Sequence, residues 1–150
     1  MQKIIGGIEK INKSMWTAYK EYLSTRDKKT YQKAVSSLEM EYDAELSLFC
    51  WNLSSAWENV IIQMEMRFEE DADVSDVHSC VSDIQNSVWA IYKGFMKDHL
   101  VRECTRKYAE LVQKYRHDKE MELFAQTLIL SWVPIINALA EDFRNGVDSK

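Results

Sequence analysis

The sequence predicts an all-α fold, a helical bundle of two similar three-helix repeats, and three observations carry that prediction. The first is a shortage of turn chemistry: 150 residues hold four glycines and one proline, too few for a set of hairpins, while strong helix formers are plentiful. The second is a step of three and four residues between apolar positions, which lines one face of a helix. The third is repetition. A shift of 73 residues sets Ile11, Ser14, Trp16, Tyr19, Lys20, Leu38 and Tyr42 on Ile84, Ser87, Trp89, Tyr92, Lys93, Leu111 and Tyr115. After a two-residue insertion, Glu45, Leu48, Phe49, Leu53, Trp57, Ile61 and Phe68 fall on Glu120, Leu123, Phe124, Leu128, Trp132, Ile136 and Phe143. Self-similarity on this scale sets the architecture before any local signal does. Residues 1–150 are expected to form a single all-helical domain of about six helices, with internal repeats at about 2–72 and 75–147 packed about a pseudo-two-fold axis.

In the first segment Ile4, Ile8, Ile11, Met15, Ala18 and Tyr22 answer to Val77, Val81, Ile84, Val88, Ile91 and Phe95, a stripe that suits packing in a bundle more than a free coiled coil. Ser75 is the expected N-cap of the second copy. The second segment carries Tyr31, Val35, Leu38 and Tyr42, then Cys104, Tyr108, Leu111 and Tyr115. Asp27 caps the first of these, whereas Lys97, Asp98 and His99 leave the later boundary open, since they can also continue the preceding helix. The third segment is the most apolar. Phe49, Leu53, Trp57, Val60, Ile61, Met64 and Phe68 match Phe124, Leu128, Trp132, Ile135, Ile136, Leu139 and Phe143. Asp43 and Asp118 stand where these helices start and Gly146 where the last one stops. Pro134 predicts a kink near residues 130 to 134. The third helices belong at the centre, with Trp16, Trp89, Trp57 and Trp132 as core anchors, and the acidic run Glu69 to Asp73 as a solvated link between the halves.

Composition narrows the class further. The length supports a core without staples, and three cysteines with no hydrophobic leader point to a reducing, cytoplasmic setting. A net charge of −5 argues against a general nucleic-acid binder. Phe124 to Ala140 falls short of a membrane span and carries Gln126, Ser131, Pro134 and Asn137, so no membrane role is favoured.

Searching for chemistry yields little. No Glu-x-x-His pair for a bundle metal site exists, and His78, His99 and His117 fall outside the repeated pattern. Asp71, Asp73 and Ser75 begin like a calcium loop, but Asp76 stands where its glycine belongs and Ser82 where its bidentate glutamate belongs. Cys50, Cys80 and Cys104 form no pair, and His78 and Cys80 are two residues apart, on different faces of a helix. No catalytic residue, metal ligand or cofactor is therefore expected. Two surface features remain. Arg102, Arg106, Lys107 and Lys114 are candidate anion-binding residues on a basic strip, although Glu39, Glu41, Glu103 and Glu110 also fit a balanced, solvated face. Trp51, Ile62 and Met66 are candidate partner-binding residues: with Leu48 they give the third helix a second apolar side, which the rest of the fold is expected to cover if it is not a docking surface. The function these features favour is a non-enzymatic protein-protein interaction or scaffold protein, binding another protein or itself. The alternative is a binding module for a small apolar or anionic ligand held between the repeats.

Overall fold

The computed structural model describes residues 2–146. Among them the chain forms six helices and no strand: α1 (Gln2–Thr25), α2 (Lys28–Glu41), α3 (Ala44–Glu69), α4 (Ser75–Asp98), α5 (Val101–Lys114) and α6 (Lys119–Arg144). Their lengths run 24, 14 and 26 residues, then 24, 14 and 26 again. Val147, the expected end of the second repeat, lies outside the described residues.

The helix ends follow local chemistry. The Asp27 carboxylate accepts from the backbone N–H groups of Lys29 and Thr30, and that of Asp118 from Met121, whereas Asp43 occupies its cap position without a side-chain bond. At α4 the expected cap, Ser75, is not the N-cap: that position falls to Val74, which makes no side-chain cap bond. Asp73 accepts from both the N–H and the hydroxyl of Ser75, which is itself the first helical residue. The open boundary between α4 and α5 resolves as a true break, because His99 turns left-handed at φ 60° and its N–H closes on the Phe95 carbonyl. Arg26 does the same after α1, with φ 58° and a bond to the Tyr22 carbonyl. A left-handed non-glycine residue costs roughly 1–2 kcal/mol, and both of these stack on an aromatic ring of the third helix in their half. The Arg26 guanidinium lies 4.2 Å from the Phe68 ring centroid, and the His99 ring lies 3.7 Å from that of Phe143. Gly146 at φ 73° follows α6 as a C-terminal glycine should. Helix α6 runs unbroken through Pro134, which is exposed together with Leu130, whose carbonyl loses its usual donor to the proline.

Helices α3 and α6 lie antiparallel at the centre and pack on each other most extensively. Phe49 meets Trp132 and Trp57 meets Phe124, both edge-on, at centroid separations of 4.9 and 5.0 Å. Helix α1 packs on α3 with α2 alongside both, and α4 packs on α6 with α5 alongside both. The expected stripes are buried almost throughout. The tryptophans divide: Trp57 and Trp132 are fully enclosed, but Trp16 and Trp89 are only half-buried, each lying on the tyrosine three residues later. They cover the core rather than anchor it.

Backbones of α1 and α4 stay apart, and long side chains bridge them. The Gln85 amide donates to Asn12 Oδ1 at 2.9 Å, both residues being buried. Tyr19 Oη lies 2.9 Å from His78 Nδ1, and Tyr92 donates to Glu9 at 3.4 Å. Two ion pairs tie the first helix of each half to the second: Lys10 with Glu41, and Asp83 with Lys114. They occupy corresponding positions with the signs exchanged. By length and apolar composition α6 is able to cross a membrane, contrary to the expectation that its apolar stretch falls short of a span, and more than half of that stretch is buried in the fold.

Candidate binding face

A third helix in this arrangement turns one side to α1 or α4 and its flanks to its neighbours. What remains forms an outer row. On α3 that row is Leu48, Trp51, Ser55, Glu58, Ile62 and Met66, and on α6 it is Leu123, Gln126, Leu130, Pro134 and Asn137, all exposed. Among the described residues, six of the eight large apolar side chains that stand exposed belong to these two rows, with Trp51 at 56 % and Leu130 at 67 %. Glu58 is the one charge among the eleven. Single exposed hydrophobics need no explanation, but a run of them on one sparsely charged face does.

The expected covering of Trp51, Ile62 and Met66 is therefore not found. The reason is placement. Helix α2 lies beside α3, level with Trp51, and α5 lies beside α6, and both point Tyr31, Leu38, Tyr108 and Leu111 inward, so no helix crosses the outer rows.

Grooves flank the face. One, of about 530 Å³, runs between α2 and α3 and is lined by Gln32, Val35, Ser36, Glu39, Trp51, Ser54, Ser55 and Glu58. The other, of about 510 Å³, runs between α5 and α6 and is lined by Tyr108, Ala109, Val112, Gln113, Arg116, Gln126, Ile129 and Leu130. A trough of about 330 Å³ joins them, sharing Ser55 with the first and Leu130 with the second. The two grooves occupy corresponding places but differ in chemistry. In the first, Ser54 donates to Glu39 at 2.7 Å; their counterparts in the second are the apolar Ile129 and Val112. Trp51 answers to Gln126, Ser55 to Leu130 and Glu58 to Val133.

Two of the four residues of the predicted anion strip are engaged by neighbouring carboxylates. Arg106 reaches Glu103 at 2.7 Å and Glu110 at 2.8 Å along α5. Lys114 reaches Asp83 at 2.9 Å, and Tyr115 donates to the same carboxylate. Burial pushes the Asp83 carboxyl up, but these two donors outweigh it and hold it below the usual range. Arg102 and Lys107 form no ion pair among the described residues. The four cations thus share one helix without converging on a cavity.

Nor do the thiols converge. Cys50, Cys80 and Cys104 are free. Burial, helped by Glu39 and Glu41, pushes the Cys50 thiol up to about 12, and burial raises the other two. Raised thiols are poor nucleophiles at neutral pH. Among the described residues no group of three histidine, cysteine or acidic side chains is placed to hold a metal ion.

One polar cluster escaped the sequence analysis. His78 has Tyr19 Oη at Nδ1 and Ser82 Oγ 3.4 Å from Nε2, with the Trp16 ring stacked alongside at 6.3 Å. Burial holds the Tyr19 hydroxyl well above its ordinary range, so it stays protonated. The spacing of His78 and Ser82 puts both on one face of α4, but contact with Tyr19 becomes visible only when α1 and α4 are packed. None of the three grooves opens onto this cluster, which acts as a clasp between the two helices.

The chain matches no protein-family model, and neither the curated proteins nor the solved structures contain a significant match.

Proposed function

We propose that this chain is a non-enzymatic interaction or scaffold protein that docks another protein chain on the outer rows of α3 and α6. The observation that carries this is the continuous, nearly uncharged face from Leu48 and Trp51 across to Leu123 and Leu130. Interface centres are depleted in charge and enriched in tryptophan and methionine, and a shallow open face suits a macromolecule better than a small ligand, which requires enclosure. A photo-crosslinking residue placed at Leu130 is expected to give discrete protein adducts in a native extract, and the same residue at the exposed Glu21 on α1 none. Equal labelling at both positions, or none at either, overturns the proposal.

The bundle is further read as an internal duplication about a pseudo-two-fold axis. Support comes from the repeated helix lengths and from contacts that come in exchanged pairs. Phe49 with Trp132 mirrors Trp57 with Phe124, and Asn12 bonds Gln85, its own counterpart. The three free thiols support a reducing, cytoplasmic location.

A second function is favoured by one observation, the apolar lining of the α5/α6 groove with Arg116 at its rim. A small apolar anion would place its tail on Val112, Ile129 and Leu130 and its charge on Arg116. Decanoate, used as the probe, should then raise the melting temperature, and Arg116→Ala should remove the gain.

A further inference from the structure

Resting on the interaction function proposed above, the geometry points to a second copy of this chain as the occupant of the face, with Trp51 of each copy seated in the α5/α6 groove of the other. The grooves are complementary where they differ. The α2/α3 groove presents a half-exposed indole and the carboxylates of Glu39 and Glu58, while the α5/α6 groove presents Val112, Ile129 and Leu130 with the exposed Arg116 at one end. What one offers, the other receives.

Placement of the grooves allows both contacts to form at once. Phe49 opposite Trp132 and Trp57 opposite Phe124 fix α3 and α6 as antiparallel, with Leu53 level with Leu128. A two-fold axis lying in the face along the helices therefore sets α3 of one copy over α6 of the other. The same register brings Trp51 over the partner's Leu130 and Glu58 level with the partner's Leu123, beside the end of α5 where Arg116 stands. The other in-plane axis, across the helices, would set α3 on α3 and α6 on α6, which takes Trp51 and Glu58 away from the partner's α5/α6 groove. Charge selects the first arrangement. Each chain carries a net charge of −5, so a contact that sets Glu58 beside the partner's Arg116 is favoured over one that sets it over the partner's α3, whose own Glu58 and Glu45 it would approach. An isologous contact of this kind closes at two copies instead of growing into a filament.

Sedimentation equilibrium of the full chain should show a dimer dissociating to monomer on dilution. Trp51→Ala, Glu58→Arg and Arg116→Glu should each weaken association about tenfold or more, as expected for a central aromatic and its paired charges. The double variant Glu58→Arg with Arg116→Glu should recover most of the loss. All three side chains are exposed, so circular dichroism should show an unchanged fold in each. A wild type that stays monomeric at about 100 μM, a dimer indifferent to all three changes, or a charge swap that restores nothing overturns the pairing. Adducts at Leu130 to other proteins only would sink this proposal while leaving the interaction function standing; the absence of adducts would sink both.

Discussion

Behind α3 and α6 the two halves carry like residues at matching sequence positions; in front they do not. On the inner side Trp57 answers to Trp132, Tyr19 to Tyr92 and Ile11 to Ile84, and each pair is buried. On the outer side Trp51 faces solvent where its counterpart is Gln126, and the hydrogen-bonded Glu39 and Ser54 are replaced by Val112 and Ile129. Packing holds the interior to one solution, since a close-packed core feels the change of a single methylene. The outer surface has no such constraint from folding, so its differences are the place to look for function.

The comparison breaks most severely at its centre. Trp57→Ala and Trp132→Ala each empty a fully enclosed site between α3 and α6, and each should cost about 3–5 kcal/mol. Urea denaturation checks this. Equal losses would mean the halves share the load; a much smaller loss in one would place the stability mainly in the other.

A sharper test uses the exchanged ion pairs. Lys10 with Glu41 should be replaceable by Asp with Lys, the arrangement found at Asp83 and Lys114. Lys10→Asp alone should lower the melting temperature by setting two carboxylates together, and adding Glu41→Lys should restore it. Acid gives a second measure of the same contacts. The hydrogen bond from Lys10, and its charge, hold the Glu41 carboxyl below its ordinary value, and donors from Lys114 and Tyr115 do this for Asp83 against the opposing effect of burial. A carboxyl lowered in the folded state contributes stability above its unfolded value, and that contribution is lost as pH falls through the folded value. Asp83→Asn should therefore flatten the fall in stability below the ordinary carboxylate range without changing the slope near neutrality.

The smallest effect separates the capped from the uncapped start. Asp27 bonds two backbone N–H groups and Asp43 none, so Asp27→Ala should cost about 1 kcal/mol and Asp43→Ala clearly less. Thermal unfolding of the two variants checks the difference. Matching losses would mean that Asp43 acts through the charge at its helix end instead.

Much of the fold was legible because local chemistry and periodicity agree: the stripes of all six helices, the caps at Asp27 and Asp118, and the stop at Gly146. The break after α4 was not, because the left-handed position falls to His99, and no glycine marks it. The stack on Phe143 that accompanies it joins residues far apart in sequence. The site was legible only as a list. Trp51, Ile62 and Met66 form an apolar row whose pattern is the same whether a neighbour covers it or solvent does, and only the placement of α2 and α5 at the flanks decides. The grooves depend on which helices pair, and the basic strip resolved into local ion pairs because Glu103 and Glu110 lie one turn either side of Arg106.

The stacks of Arg26 on Phe68 and His99 on Phe143 have a consequence for how the molecule comes apart. Each fastens the end of a half's first helix to the end of its third, across about forty intervening residues. Neither end can fray alone, since releasing one strips the aromatic cover from the other. Opening at one of these ends is therefore coupled to opening at the other, so the first and third helices of a half loosen together there although they are far apart in sequence.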